Sequence, residues 1–399
     1  MKGTVLRLSL AASAIGAALL ALAVAPATDA TAQDAKAAKA AAKAAQPKAA
    51  QPKTFPPLGP LPPVPVPADN PMSPEKVELG KMLFWDTRLS GDKSTPCVVC
   101  HEPGMGWGDA AEISRGYPGT RHWRNSQTIL NSAYYNKLFW EGNVTSLEAQ
   151  APAAAEGAVA GNGDTAMMEM RLRFVPDYVE RFRKVFGTDW PRITHAWQAI
   201  AAFQRTIVSD ARQVPFDRYM MGDKEALNDS QLRGMALYNG KAGCLQCHNG
   251  PLGSDQRFHA LGVPPNEQFN SDPLLQITHR WQQYQKGVTE DTYRNALIDM
   301  GQYYNTKNPK DIGKFRTPSV RELKYTAPYM HNGVFYTLDE VVDFYNKGGG
   351  NAPNKSPLIR PLGLSDQERK DLVGFLEALS SDKPLLMDAP KLPPYAVMK

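Results

Sequence analysis

Cys97-Val98-Val99-Cys100-His101 and Cys244-Leu245-Gln246-Cys247-His248 are two runs of the form CxxCH, and together they use all four cysteines of the 399-residue chain. In such a run two thiols add across the vinyl groups of a haem, and the histidine that follows is placed to hold the iron from its proximal side. A zinc ribbon would place its second CxxC about 15 to 20 residues after the first. Here the two pairs start 147 positions apart, one in each half of the chain, which suits two separate sites. A thioredoxin-like dithiol needs a βαβ context, and neither site shows the alternating apolar strands that announce one. Two covalently bound c-type haems are the expectation.

The first residues speak to compartment. Lys2 and Arg7 precede an apolar stretch from Leu8 to about Ala27, and Ala30-Thr31-Ala32 offers a small-residue cleavage site, so residues 1–32 read as a secretory signal peptide. Export to the periplasm agrees with covalent haem attachment. A membrane tether arises only if this segment is retained, since its apolar part approaches the roughly 20 residues needed to span a bilayer.

Residues 33–72 are rich in Ala, Lys and Pro without apolar periodicity, and are expected to form a flexible or extended tether outside the core. Residues 1–53 carry seven basic and two acidic residues, a net +5 that equals the charge of the whole chain. The remainder is formally neutral and four haem propionates would make it acidic, so overall basicity offers no case for nucleic acid. Roughly 330 residues beyond Asn70 are enough for two compact domains: a first haem domain over 73–225 and a second over 226–399.

Helical signals dominate the remainder. Ser73-Pro74-Glu75 supplies a cap and a first-turn proline, followed by Val77, Gly80, Leu83 and Phe84 at helical spacing. Ser230 precedes a similar run with Leu232, Met235, Ala236 and Tyr238, and the segments 80–84 and 234–238 form a weak internal repeat. Further helices are expected over 191–209 and 365–379, the latter opened by a Ser365/Glu368 capping box. Strand signals are sparse, and 262–317 carries no clear assignment. The fold class is mainly α: two cytochrome-c-like haem domains with long loops and few short strands.

Ordered motifs from about Ser73 to Ser381 carry a resemblance. They are the first CxxCH, Arg124-Asn125-Ser126, Phe139-Trp140-Glu141-Gly142, Leu147-Glu148-Ala149-Gln150, the second CxxCH, Arg316-Thr317-Pro318-Ser319, Ala327-Pro328-Tyr329-Met330-His331-Asn332-Gly333 and Phe344-Tyr345-Asn346-Lys347-Gly348-Gly349. In these the chain resembles the bacterial di-haem cytochrome c peroxidases and the MauG-type enzymes that oxidise a partner protein. The resemblance implies hydrogen peroxide as oxidant and a periplasmic donor or substrate protein as the source of electrons.

The same resemblance implies roles for single residues. Tyr345 occupies the place of the second haem's distal ligand, methionine in the peroxidase branch and tyrosine in the MauG-type branch. A soft thioether favours ferrous iron, whereas a phenolate favours ferric and higher states. The first haem has no evident sixth ligand, which implies an iron open to peroxide. His122 is a weaker ligand candidate, and an ordinary propionate-contacting histidine is the bland reading. Trp140 matches a tryptophan between the haems, Gln150 a distal-pocket residue and His331 a pocket histidine near the second haem. Asn125, Thr326 and Pro328 match oxygen donors to a calcium ion, a chemistry suited to amide and carbonyl oxygens.

One position departs from the pattern. The relatives' distal glutamate stands 20 residues after the tryptophan, and here that place is Ala160. The nearest carboxylate, Glu156, is the candidate proton carrier, set against a plain solvated loop glutamate. Tyr345 favours a MauG-like enzyme acting on aromatic side chains of a partner over a peroxidase fed by a small cytochrome or cupredoxin. The alanine at 160 keeps a non-catalytic electron carrier as a third reading. His195, His259 and His279 have no assigned role.

Overall fold

The computed structural model describes residues 54–396, so the expected signal peptide and residues 33–53 of the tether lie outside the described residues. In the first half α1 (Pro74–Trp85), α2 (Leu147–Ala155), α3 (Thr165–Arg173), α4 (Pro176–Phe186) and α5 (Ile193–Gln204) surround one apolar core. α6 (Pro215–Met220) and α7 (Asp229–Asn239) lead into the second half. There α8 (Glu267–Asn270), α9 (Pro273–Gln285), α10 (Glu290–Asn295) and α11 (Tyr303–Thr306) form an excursion, and α12 (Leu338–Asn346) and α13 (Asp366–Ala378) complete a second core. The only sheet among the described residues is a two-residue antiparallel pair, β1 (Phe258–His259) with β2 (Phe315–Arg316), in the register Phe258↔Arg316. No described helix is long and apolar enough to cross a membrane.

The local signals are placed as their chemistry requires. Ser73 caps α1 by accepting from the Lys76 N–H at 3.2 Å, with Pro74 at the first position where its missing N–H costs nothing. Ser365 and Glu368 form the reciprocal capping box of α13. α7 starts two residues earlier than Ser230 suggests, because Asn228 and Gln231 make a capping box of their own. The unassigned stretch 262–317 contains α8–α11; α8, α10 and α11 have six residues or fewer, too short for apolar periodicity to reveal, whereas α9 has 13.

The weak repeat has a packing basis. Gly80 on α1 sits so close to α5 that an added methyl would run into the Ala199 carbonyl and the Phe203 β-carbon. Gly234 on α7 stands in the same relation to the Asp371 carbonyl and the Phe375 β-carbon on α13. Four residues on, Phe84 meets Phe203 and Tyr238 meets Phe375, each with ring centroids 5.3 Å apart. Each half therefore builds its haem-bearing segment on a helix crossing that only glycine permits.

Two departures from the expected layout follow from how little each core can bury alone. The tether was expected to stay off the core, yet Leu58 is buried in the second one, and Arg321 donates to the Gly59 carbonyl. Asn70 is buried too, donating to Glu148 at 2.8 Å and to the Gln198 carbonyl at 2.9 Å. Nor do the cores respect a border at 225. Val214 and Phe216 join the second core, while Met387 and Leu392 pack on the first. The Trp107 indole donates to the Leu385 carbonyl at 2.8 Å, so the C-terminal segment closes the half it does not follow in sequence.

Candidate functional site

Both CxxCH runs lie on single 3₁₀ turns, Cys97–Val99 and Cys244–Gln246. The tight turn brings the two thiols of each run to one side, and the chain then delivers the histidine: His101 N–H donates to the Cys97 carbonyl at 3.1 Å, and His248 N–H to the Cys244 carbonyl at 2.9 Å. Neither imidazole is free to spin. His101 Nδ1 lies 3.1 Å from the Trp107 carbonyl, and His248 Nδ1 lies 3.1 Å from the Pro318 carbonyl and 3.3 Å from that of Gly253. With Nδ1 donating to a carbonyl, the tautomer leaves the Nε2 lone pair for a metal. Burial lowers the pKa of both histidines, which keeps them neutral as ligands must be. Burial also pushes the Cys97 and Cys244 thiols up to about 12. They are half-buried thiols held protonated rather than thiolates poised for exchange.

The first run rests on aromatics: Phe84 lies 6.4 Å from His101, 6.2 Å from Trp107 and 5.3 Å from Phe203, ring centre to ring centre. The second opens on a cavity of about 430 Å³ whose wall includes Cys244, Cys247, His248 and Tyr345. Its volume, its apolar lining by Leu338, Val342, Leu372 and Leu376, and a donor set of two thiols, an imidazole and a phenol fit a covalently held haem. Tyr345 lies near the C-terminal end of α12, half-buried, and burial followed by the neighbouring Cys244 and Cys247 pushes its phenol well above the usual range. A phenol in such a place stays protonated unless a cation faces it.

The same cavity reaches the residues that join the two halves. Trp140, His331, Asn125, Thr326 and Pro328 all belong to its wall. The Trp140 indole donates to the Asn125 carbonyl at 3.0 Å, and the Asn125 N–H donates to the His331 carbonyl at 2.9 Å. His331 stacks on Phe315 with centroids 3.6 Å apart and meets Trp140 edge-on at 6.3 Å. Burial lowers its pKa to about 4. The Asn125 amide donates to the Ala111 carbonyl at 2.8 Å. Residues 186 to 206 positions apart in the chain thus form one wall.

The candidates on the first half are placed differently. Gln150 is half-buried on α2. Glu156 is the C-cap of that helix, is exposed, and accepts a hydrogen bond from the Thr165 hydroxyl at 2.8 Å. Ala160 is half-buried in the following turn, its N–H bonded to the Gly157 carbonyl at 2.9 Å. Glu156, Gln150 and Ala160 do not line the cavity that holds Tyr345.

Sequence reasoning missed several groups in this region. Arg124 pairs with Asp299 at 2.6 and 2.9 Å and with Glu141, all three side chains being nearly buried. Burial works against the charge of Asp299, but the Arg124 guanidinium outweighs it and holds the carboxyl well below the usual range. Asp299 lies in the stretch that carried no assignment, so nothing in one sequence pairs it with Arg124. Trp123 was also missed, although it adjoins the Arg-Asn-Ser motif and lines the cavity. His259, left without a role, has its Nε2 3.3 Å from Asp255 beside Cys247, and the hydrogen bond to Asp255, with a contact to Cys247, raises its pKa to about 9.

The chain is similar to several known proteins. Residues 74–225 match the family model of the di-haem cytochrome c peroxidases. The chain is 71% identical over 338 residues to cytochrome-c peroxidase IdrP1 of Denitromonas iodatirespirans, covering 85% of this chain and 90% of that protein. It is 36% identical to methylamine utilization protein MauG of Methylorubrum extorquens over 83% of this chain and 85% of that one. Among solved structures it is similar to a MauG-like protein associated with microbial copper homeostasis, at 30% identity and a TM-score of 0.67, covering 85% of this chain and 97% of that one. The chain belongs to the di-haem cytochrome c peroxidase family and is a mainly helical oxidoreductase of the peroxidase type, with a c-type haem for each CxxCH run.

Proposed function

We propose that the chain is an exported, periplasmic peroxidase that reduces hydrogen peroxide at the site of His101 and draws its electrons, through the site of His248, from a small one-electron carrier protein. The observation that carries it is the single cavity wall holding Cys244, Cys247, His248, Tyr345, Trp140 and His331. When bound, the two haems supply the iron that reacts with peroxide and the capacity to hold the resulting oxidising equivalents.

The chain's own residues do the rest. The carbonyls of Trp107 and Pro318 orient the proximal imidazoles. Tyr345 would hold the iron at the second site from the distal side, supplying an oxygen donor that favours the oxidised metal. Trp140, with its N–H held by Asn125, is the relay between the two sites. Gln150 has the donor and acceptor needed to position peroxide or its water. The exposure of Glu156 and its bond to Thr165 argue against it as the proton carrier, so protons reach the first site through solvent. Oxygens of Asn125, Thr326 and Pro328 would hold a calcium ion that braces the two halves.

Tyr345 alone favoured oxidation of aromatic side chains on a partner protein. The high identity to proteins named cytochrome-c peroxidase moves the preference to a carrier-fed peroxidase, and the MauG-like activity is the second reading, supported by Tyr345. A non-catalytic carrier is set aside by membership of a peroxidase family. The test is peroxide addition to the purified ferric holoprotein, followed by a reduced carrier. Repeated turnover is expected; a long-lived oxidised state that small carriers do not discharge would favour the second reading instead. Cell fractionation tests the compartment.

A further inference from the structure

The excursion α8–α11 places two groups of aromatic side chains, bridged by the Thr292 hydroxyl, between the surface and the cavity. At its outer end Trp281 is 47% exposed, with Tyr284 5.8 Å and Tyr293 6.2 Å away between centroids. Next to Tyr293, the Thr292 hydroxyl lies 3.5 Å from that of Tyr303. Tyr303 and Tyr304 are neighbours at 6.3 Å, both buried in a small core of their own. Tyr304 then meets His279 at 5.2 Å, and its hydroxyl lies 3.0 Å from His279 Nε2. His279 meets Trp123 at 4.5 Å, and Trp123 lines the cavity beside Trp140 and His331.

We infer that this chain of side chains, from Trp281 through Tyr304 and His279 to Trp123, is a route by which electrons from an external one-electron carrier enter the space between the two haem sites. The inference rests on the peroxidase reading and specifies where its electrons enter. Tunnelling falls off steeply with distance, so a protein that must move an electron from its surface to a buried centre gains from oxidisable rings in close succession. Packing asks for no such order. Two features go beyond it: the run begins on an exposed indole, and its one buried phenol next to a base is also the link between the outer and inner halves.

The base matters because oxidising a phenol releases its proton. Tyr304 is buried, which raises its pKa well above the usual range, so it holds that proton until something takes it. His279 is the acceptor: burial lowers its pKa to about 4, leaving the ring neutral, and its Nε2 faces the Tyr304 hydroxyl at 3.0 Å, while its Nδ1 has no partner among the described residues. The Trp123 indole N–H is likewise buried without a partner among the described residues. The accounts balance. One peroxide takes two electrons and two solvent protons to become two waters, and two reduced carriers lose one electron each. For each electron Tyr304 passes its proton to His279 Nε2 and recovers it, so the route ends unchanged.

The test uses the ferric holoprotein with hydrogen peroxide and no reductant, so that oxidation is driven outward and leaves a chemical mark read by peptide mass spectrometry. Oxygen addition is expected at Trp281 and Tyr293 above that at Trp190, a tryptophan that is more exposed, at 56%, and outside the route. Tyr304→Phe should reduce the mark at Trp281 to the level of Trp190 while the haem spectra still respond to peroxide. Trp281→Phe, a surface change, should slow reduction by a carrier protein and leave peroxide consumption with a small-molecule reductant unchanged. If the spectra respond but Trp281 is marked no more than Trp190, or is marked equally in Tyr304→Phe, the route is overturned and the peroxidase reading stands. If the spectra do not respond, both fall.

Discussion

The α-carbon of Gly80 rests against the main-chain carbonyl of Ala199, leaving no room for a β-carbon between α1 and α5. Gly234 and Asp371 repeat the contact in the other half, so the glycines of the repeat are packing residues. Gly80→Ala and Gly234→Ala should each destabilise the holoprotein by about 1–3 kcal/mol, the usual cost of overpacking a tight contact. Denaturant unfolding followed at the haem absorption band measures this; a helix-propensity gain without loss of stability would show that the helices move apart freely.

Tyr345 should define the second site. Tyr345→Met is expected to raise that haem's reduction potential by a sizeable part of the roughly 0.8 V over which axial ligation acts. The first haem should keep its potential. Spectroelectrochemistry separates the two, and unchanged potentials at both would remove Tyr345 from the coordination sphere.

Position 160 offers a gain rather than a loss. Ala160→Glu should speed the peroxide reaction, since a positioned acid or base contributes about 10²–10⁴-fold. Glu156→Gln should leave the rate within about twofold, because an exposed group in high dielectric has little hold on a reacting proton. Stopped-flow mixing with peroxide decides both. A large loss in Glu156→Gln would return that residue to the mechanism.

The Asp255–His259 pair gives a pH signature. The raised pKa of His259, about 9, means that its stabilising contribution is fully present below the unfolded value of about 6.5 and fades as pH rises through 9. Asp255 is lowered: burial opposes its charge, but its bond to His259 prevails, so its part appears above about 4 and is lost as pH falls. Asp255→Asn should therefore cost about 1–2 kcal/mol near pH 6 and progressively less above pH 9. An effect that is flat with pH would mean that the pair is not charged.

Much of this molecule was legible in local pattern. CxxCH, the Ser73 cap and the Ser365/Glu368 box are interactions spanning a few residues, and their spacing states their geometry. The long-range parts were not. Leu58 in the second core, Leu385 beneath Trp107, and Asp299 against Arg124 are contacts between distant segments, for which no periodicity exists. Glu156 shows the same limit: proximity in sequence to position 160 does not decide which way a helix-capping carboxylate points.

Taken by itself, the sequence determined that there are two CxxCH runs for haem attachment and that each follows its own glycine-bearing helix, because covalent attachment and helix formation depend on residues a few positions apart. Only the tertiary structure decided that Tyr345, His248, Trp140 and His331 share one wall and that aromatic side chains run from Trp281 to that wall. The cavity is made by burial of apolar surface from both halves of the chain, and burial is a property of the whole fold.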